Sequence, residues 1–188
     1  MKRAFDIVFS LFLLVIFGLV ILIIALLVKI KVGSPVFFQQ IRPGKNENLF
    51  ALKKFRTMTE AKNKEGILLA DADRLTSFGK FLRKTSLDEL PQLFNVLKGE
   101  MSVVGPRPER PEFVAELERR IPYYRQRHCV KPGITGWAQI NHKYGDTLED
   151  TIMKLEYDLY YIKNLAPALD AYIMFHTAKV MLLSRGAQ

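Results

Sequence analysis

A single long apolar run near the start of the chain most constrains how this protein can fold. Residues 5–28 hold 21 apolar residues in 24 positions, and only Asp6, Ser10 and Gly18 interrupt them. As a helix, the stretch from Ile7 to Val28 is about 33 Å long, which is enough to cross the hydrocarbon core of a bilayer. We therefore predict a membrane helix within residues 1–31 and one globular domain over residues 32–188.

The flanks of this run leave its arrangement in the membrane open. Basic pairs stand on both sides of it: Lys2 and Arg3 before, Lys29 and Lys31 after. A plain spanning helix is one interpretation, although such a helix usually carries its basic excess on the cytoplasmic side alone. Basic residues on both sides also allow a re-entrant helix that bends near Gly18 and returns to the same face. The run is too long for a signal peptide, and no small-residue cleavage site follows it.

The charge of the chain indicates an anionic partner. The net charge is +9 at pH 7, which suits nucleic acid, a phosphorylated ligand or an anionic membrane face. One hypothesis is therefore a non-catalytic, membrane-tethered protein that binds nucleic acid or anionic lipid. Against it, the cations cluster in Pro/Gly loops beside acids. A lone cysteine, Cys129, excludes an intramolecular disulfide, and the three histidines have no metal-ligand spacing, so we expect no zinc chemistry.

The hydrophobic periodicity predicts a mostly helical α+β domain with one small hairpin. Residues 35–41 and 48–58 are expected to form strands around the turn signal at 42–46, and residues 59–70 a loop. Apolar stripes predict five helices. The first three are one after Asp71 with Leu75, Phe78, Phe81 and Leu82, one with Leu87, Leu90, Leu93, Phe94 and Leu97 that is stopped by Gly99, and one from Pro111 with Phe113, Val114 and Leu117 inward. The last two cover 148–163 and 168–184, and the helix over 168–184 packs in the core or lies on a membrane surface with Lys179 and Arg185 toward the headgroups.

The segment from Ser86 to Glu89 has two interpretations. In the first, Ser86 caps a helix and Glu89 completes a capping box. In the second, the acids carry chemistry. A carboxylate at a helix N-terminus stays ionised, and the free N–H groups there attract phosphate. Asp88 could then be an in-line nucleophile and Glu89 a ligand for a divalent cation.

Two stiff loops supply groups that bind phosphate. Arg107 lies between two prolines, so its guanidinium loses little entropy when it binds a phosphate. The loop 131–139 offers the Lys131 ammonium and the Thr135 hydroxyl beside two glycines that permit close backbone approach. Lys54 and Arg83 add cations. Each of these features is also compatible with an ordinary surface turn or a solvated face.

Taken together, these segments resemble the bacterial sugar transferase family, the monotopic phosphoglycosyl transferases. The resemblance covers nearly the whole chain, and its strength lies in the order of many motifs: Lys2, Arg3, Phe5 and Asp6, then the apolar run, Pro35–Phe38, Arg42–Gly44, Lys54–Met58, Leu82–Arg83, Ser86–Gly99, Met101–Pro108, Lys131–Gln139 and Asp158–Tyr161.

The resemblance implies a specific chemistry. Asp88 corresponds to the nucleophile, which attacks the sugar-linked phosphate of a UDP-sugar, releases UMP and holds the phosphosugar until polyprenol (undecaprenyl) phosphate accepts it. Glu89 corresponds to the Mg²⁺ ligand and Arg107 to a phosphate-binding arginine. Arg83 and Gln92 fall at positions of the same motif. The implied role is the first membrane step of surface glycan assembly.

The resemblance also implies a location and partners. We expect a catalytic domain at the cytoplasmic face of the bacterial inner membrane, with a re-entrant helix and interfacial helices. The expected partners are a UDP-sugar, a polyprenol phosphate and the lipid bilayer, with no nucleic acid and a possible homo-oligomer. One departure is that Gly18-Leu19 stands where the family usually has Ser-Pro. No residue identifies the sugar, and the chain is either a short member of the family or the catalytic unit of a longer one.

Overall fold

The computed structural model describes residues 1–142, 145 and 147–182. Its α-helices are α1 (Lys2–Lys31), α2 (Asp71–Arg74), α3 (Ser77–Lys84), α4 (Gln92–Lys98), α5 (Pro111–Arg120), α6 (Trp137–Asn141), α7 (Leu148–Lys163) and α8 (Pro167–Leu182). The strands are β1 (Phe37–Pro43), β2 (Leu49–Phe55), β3 (Ser102–Val104) and β4 (Gly133–Thr135), and 3₁₀ turns lie at Lys45–Glu47, Leu87–Glu89 and Tyr124–Cys129. The prediction of a mostly helical protein with a small hairpin is confirmed.

Two small sheets organise the loops. β1 and β2 form the predicted antiparallel hairpin, with Phe37 opposite Phe55 and Pro43 opposite Leu49. β3 and β4 form a short parallel pair that the sequence did not indicate, with Ser102 opposite Gly133. Strands of three residues carry almost no periodic signal, and the partners of this pair lie far apart in the chain. The pairing brings the loop that carries Arg107 beside the start of the loop 131–139.

Helix α1 is continuous through Gly18 and is fixed to the domain at its N-terminal end. Asp6 is buried, and its Oδ1 accepts hydrogen bonds from Ser102 Oγ at 2.9 Å and Val103 N at 3.0 Å. The Arg3 guanidinium donates to the carbonyls of Val96 and Leu97 in the last turn of α4. A cation at the C-terminal end of a helix satisfies carbonyls that have no partner within that helix. The first residues of the apolar run are thus part of the domain.

The other end of α1 packs on the same domain. Val28 and Val32 are buried in a cluster with Phe55 and Leu82, and the Lys31 ammonium lies 5.4 Å from the centre of the Phe78 ring. The opposite face of the helix is apolar and exposed, with Val8, Leu11, Phe12, Val15, Ile16, Leu19, Leu22, Ile23, Leu26 and Ile30. A 30-residue helix is about 45 Å long. It therefore lies along the domain, and both its ends contact that domain.

The core is divided among three apolar clusters. The largest joins the hairpin, α4, β3, α7 and α8 through Phe50, Leu52, Val96, Met101, Val103, Val104, Tyr161 and Ile173. The second joins the C-terminal half of α1 to β2 and α3. The third, with Val114, Ile121, Tyr124 and Leu155, holds α5 and α7 together. Of the two arrangements expected for the last helix, packing in the core is observed, because Ile173 of α8 is buried in the largest cluster.

Several local predictions need correction. The helix expected after Asp71 is two helices, because Thr76 caps a new one by accepting a hydrogen bond from Gly79 N at 2.9 Å. Phe113, expected to point inward, is about half exposed, while Val114 is buried. The predicted extension of the last helix to residue 184, and the place of Arg185, lie outside the described residues.

The continuous helix makes a prediction at Gly18. A Cβ at this position meets no atom within 4 Å, and alanine favours a helix over glycine by about 1 kcal/mol. Gly18→Ala should therefore raise the thermal midpoint of the detergent-solubilised protein. As the matched comparison, Gly79→Ala places a Cβ 2.0 Å from the Thr57 carbonyl oxygen and should destabilise by about 2 kcal/mol or more. A lower midpoint for Gly18→Ala would indicate a helix that is broken there.

Candidate active site

The two acids of the Asp88-Glu89 pair lie in a tight 3₁₀ turn. Ser86 has a left-handed backbone (φ 54°), and its side chain makes no cap hydrogen bond. The capping-box interpretation is therefore wrong, because Ser86 is not in the extended conformation that a capping residue adopts. The Glu89 amide instead donates to the Ser86 carbonyl at 3.2 Å. This turn presents Asp88 and Glu89 side by side just before α4.

Asp88 is a buried carboxylate among cations. Only 7% of the residue is exposed, and burial, with the neighbouring Glu89 charge, raises the pKa of Asp88 to about 6 although Lys54, Arg83 and Arg107 oppose the shift. A carboxylate with this pKa is mostly ionised at neutral pH and is poorly solvated. It therefore combines the charge that a nucleophile needs with weak shielding by water.

Glu89 accepts direct hydrogen bonds from two of these cations, Lys54 and Arg107. Lys54 Nζ lies 2.6 Å from Glu89 Oε1, and the Arg107 guanidinium binds both carboxylate oxygens, with Nη1 3.2 Å from Oε2. Burial alone would raise the pKa of Glu89, but Arg107 and Lys54 lower it to about 2. Glu89 is thus ionised over the whole physiological range and fixes both cations beside Asp88.

The cations come from separate elements. Lys54 lies on β2, Arg83 on α3 and Arg107 on the loop that follows β3. Arg83 Nε donates to Thr57 Oγ1 at 3.1 Å, which holds this arginine near the end of the hairpin. Two carboxylates facing three cations leave an excess of positive charge, an arrangement that suits a phosphate-bearing ligand.

Asn95 holds the turn against the hairpin, and the sequence did not assign it a role. It is fully buried on α4, donates from Nδ2 to the Ala51 carbonyl at 2.8 Å, and accepts at Oδ1 from Lys53 N at 3.1 Å. These bonds fix α4 to β2 one residue from Lys54. The sequence does contain a signal for this role, which is an asparagine in an otherwise apolar helical stripe. A buried side-chain amide needs hydrogen-bond partners, and it therefore indicates a contact with another element.

Three further predicted site residues lie in different surroundings. Gln92 is the first residue of α4 and is buried, close in sequence to the acidic pair. The charged neighbours that act on Lys131 are Arg3, Asp6 and Lys45. Thr135 is buried, and its hydroxyl lies 2.6 Å from the Thr177 hydroxyl on α8. Lys131 thus lies near charged residues of α1 and Thr135 contacts α8, while Lys54, Arg83 and Arg107 surround the acids.

The acidic pair has the chemistry of a Mg²⁺ site. Mg²⁺ prefers carboxylate oxygens and keeps several waters. Glu89 accepts three hydrogen bonds here, and an ionised carboxylate has about four acceptor positions. Glu89 therefore keeps capacity for an ion, and the adjacent Asp88 carboxylate provides a second oxygen donor group.

A second group of potential metal ligands comes together only in the fold. Ligand atoms of Glu47, Glu118 and His128 lie within 4.8 Å of one another, although spacing along the chain gave no sign of this. The Glu47 carboxylate is already paired with the Arg125 guanidinium. Because the Arg125 guanidinium already neutralises Glu47, we assign this group of ligands no role as a metal site.

Comparison with known proteins identifies the relatives of this chain. It is 45% identical to the UDP-N-acetylgalactosamine-undecaprenyl-phosphate N-acetylgalactosaminephosphotransferase of Aeromonas hydrophila over its full length, which is 45% of that protein. It is 45% identical to the uncharacterized sugar transferase EpsL of Bacillus subtilis, of which it covers 90%. It is 44% identical to the UDP-glucose:undecaprenyl-phosphate glucose-1-phosphate transferase of Klebsiella pneumoniae, of which it covers 41%.

The chain thus spans less than half the length of two of these relatives and most of the third. The family model described as bacterial sugar transferase matches residues 1–184. This match includes α1, the hairpin, the acidic pair and both Pro/Gly loops. The resemblance read from the ordered motifs is therefore confirmed, and the chain belongs to the bacterial sugar transferase family.

Proposed function

We propose that this protein transfers a sugar-1-phosphate from a UDP-sugar to a polyprenol phosphate, with undecaprenyl phosphate as the acceptor, and releases UMP. One observation carries the proposal: the buried Asp88 carboxylate lies beside Glu89, which holds Lys54 and Arg107 from two distant elements. The relatives from Aeromonas hydrophila and Klebsiella pneumoniae are, by name, transferases of a sugar phosphate that act on undecaprenyl phosphate. Their sugars differ at nearly equal identity, so similarity does not select the sugar of this chain.

The residues of the site divide the work as follows. Arg107 and Lys54 bind and orient the diphosphate of the donor. An oxygen of ionised Asp88 attacks the sugar-linked phosphorus, the bond from that phosphorus to the UMP oxygen breaks, and UMP leaves with the bonding electrons. A phosphate oxygen of the polyprenol phosphate then attacks the same phosphorus and returns Asp88 to a free carboxylate. No general base is needed, because both nucleophiles are already ionised.

Glu89 has two roles in this proposal. It fixes Lys54 and Arg107 before the substrate binds, and its carboxylate would hold the Mg²⁺ ion. When bound, Mg²⁺ neutralises phosphate oxygens and stabilises the charge that develops during phosphoryl transfer. Incoming phosphates compete with Glu89 for the two cations, and the carboxylate oxygens of Glu89 released from Lys54 and Arg107 would be available to hold the ion.

We further propose that α1 places the site at the cytoplasmic face of the inner membrane. The two ends of α1 contact one domain, through Asp6 and Arg3 at one end and Val28 and Val32 at the other. A helix that spans the bilayer has its ends on opposite sides, so this packing favours an arrangement in which both ends stay on one side. The exposed apolar face of α1 then contacts lipid, from which the acceptor approaches.

The alternative of a non-catalytic basic binding protein is not favoured. Many of the cations are paired with acids within the fold, including Lys54, Arg56, Arg107, Arg125 and Arg127. A surface for nucleic acid needs unpaired cations that face solvent along a stripe. Among the described residues, Lys54, Arg107 and Arg127 are directed to the carboxylates of Glu89 and Asp158, while Arg125, which is exposed, is paired with Glu47.

The direct test is UMP release. Detergent-solubilised protein is incubated with Mg²⁺, undecaprenyl phosphate and a panel of UDP-sugars that includes UDP-glucose and UDP-N-acetylgalactosamine. We expect UMP release that depends on the acceptor for at least one donor. A folded protein that releases no UMP across the panel contradicts the proposed function.

Asp88→Asn should abolish transfer and at the same time stabilise the fold. The rise in the pKa of Asp88 from 3.8 to about 6 corresponds to a cost of about 3 kcal/mol for holding the charge at neutral pH. In metal-free protein, thermal unfolding should show a higher midpoint for Asp88→Asn at pH 7. The gain should fall as the pH is lowered from about 6 toward 3.8, since Asp88 is then protonated in the folded protein. Asp71→Asn, at an exposed carboxylate, is the matched control and should leave the midpoint unchanged.

Glu89→Gln should weaken Mg²⁺ binding at this site. The amide keeps the size of the side chain but loses its charge, so the Mg²⁺ concentration for half-maximal UMP release should rise by about ten-fold or more. Glu116→Gln, on the exposed side of α5, is the matched control. An unchanged Mg²⁺ requirement in Glu89→Gln would assign the ion to other groups.

The arrangement of α1 can be tested with single cysteines. Native Cys129 is exposed on the domain and reports where the domain lies. Ala4→Cys and Lys29→Cys, each combined with Cys129→Ser, report the two ends of α1. In intact cells, all three cysteines should resist a membrane-impermeant thiol reagent and should react after permeabilisation. Labelling of one end from outside would show that α1 spans the membrane.

A further inference from the structure

A second buried ion pair lies outside the acidic pair. Arg127, in the 3₁₀ turn after α5, contacts Asp158 on α7 with Nη2 2.7 Å from Oδ2. Its Nη1 donates to the Tyr124 hydroxyl at 2.6 Å. The side chains of Arg127 and Asp158 are 8% and 3% exposed. Burial alone would lower the pKa of Arg127, but Asp158 and Tyr124 raise it above its ordinary value.

Stability alone is a weak explanation for this pair. Two charges lose much hydration when they are buried, and replacing a buried ion pair by apolar residues of similar size is often neutral or stabilising. Another contact of Arg127 offers a reason. Its Nη2 also donates to the backbone carbonyl of Arg107 at 2.8 Å, so the pair connects α7 to the loop that carries the phosphate-binding arginine.

This loop is held at three successive carbonyls. The Pro106 carbonyl accepts from Gly133 N at 2.9 Å, the Arg107 carbonyl from Arg127, and the Pro108 carbonyl from Arg42 Nη1 at 3.0 Å. Pro106 and Pro108 have no N–H group with which to anchor the loop. The direction of the Arg107 side chain toward Glu89 therefore depends on these three donors, of which Arg127 holds the carbonyl of Arg107 itself.

We infer that Arg127, oriented by Asp158, is a positioning residue that fixes Arg107 for the donor phosphate. This inference rests on the proposed function for the role of Arg107, whereas the link from Asp158 through Arg127 to the loop is structural. Asp158 aims the guanidinium, and the guanidinium limits rotation of the peptide between Arg107 and Pro108. Loss of the link leaves Arg107 present but poorly oriented.

The test is a mutant cycle in the detergent-solubilised full chain. The double variant Arg127→Met/Asp158→Leu removes both charges together and keeps the approximate volume. Its kcat/KM for UMP release should fall by about ten-fold or more. Arg107→Ala should cost about 100-fold in the wild-type background and less than about ten-fold in the double variant, because the two changes remove one shared function. Equal costs in the two backgrounds would overturn the inference.

The matched control is Arg120→Met/Glu116→Leu, which removes an exposed ion pair from α5. In this background we expect kcat/KM near the wild-type value and the full cost of Arg107→Ala. If Arg127→Met/Asp158→Leu does not fold, the cycle is run with Arg127→Lys. Lysine keeps the positive charge beside Asp158 but cannot donate to three acceptors in a planar fork. Equal costs of Arg107→Ala in that background would likewise overturn the inference.

Amide hydrogen exchange separates this inference from the proposed function. The Gly133 amide donates to the Pro106 carbonyl, so it reports the anchoring of the loop without any reaction. Exchange at Gly133 should be about ten-fold faster in Arg127→Met/Asp158→Leu than in the wild type. Unchanged exchange in the folded variant would overturn the inference. If the wild type releases no UMP but exchange responds as expected, the proposed function fails and the structural link stands.

Discussion

The arrangement of the site depends on one carboxylate. Glu89 binds Lys54 from the hairpin and Arg107 from the loop after β3, and these two cations thereby meet at one carboxylate. Because the Glu89 side chain is only 15% exposed and remains ionised, it fixes both cations before any ligand arrives. Preorganised charge of this kind is the main contribution that a protein can make to phosphoryl transfer, where positioning and electrostatics dominate.

The same arrangement has the opposite effect on the pKa of Asp88. It shares the turn and the cations with Glu89, but the hydrogen bonds of Lys54 and Arg107 described here go to Glu89. Burial and the adjacent negative charge then raise the pKa of Asp88, while its neighbour is held near 2. Two adjacent carboxylates thus have pKa values far apart, which assigns them different chemical roles. The fold holds the negative charge of Asp88 at a cost in free energy, and a carboxylate whose charge is destabilised is more reactive than one that is well solvated.

In the proposed function, helix α1 connects the site to the membrane. Its polar interruption at Asp6 is a docking contact, since Asp6 accepts hydrogen bonds from β3, the strand that leads into the Arg107 loop. Its apolar outer face is left uncovered along nearly its whole length. The same helix therefore packs against the strand that precedes the Arg107 loop and leaves an exposed apolar face, which under the proposed function would bring a lipid-bound acceptor and the acidic pair to one rigid scaffold.

The sequence by itself determined the apolar run, the hairpin, the helical character and, through the order of its motifs, the family. These properties follow from local periodicity, turn residues and motif order, all of which can be read along the chain. Only the tertiary structure decided that Lys54 and Arg107 meet at Glu89, that Lys131 lies near charged residues of α1 and Thr135 contacts α8, and that Ser86 is left-handed. It also joined Arg127 to the Arg107 carbonyl and placed both ends of α1 on one domain. Such contacts depend on the packing of segments far apart in the chain, and no local pattern encodes the distance between them.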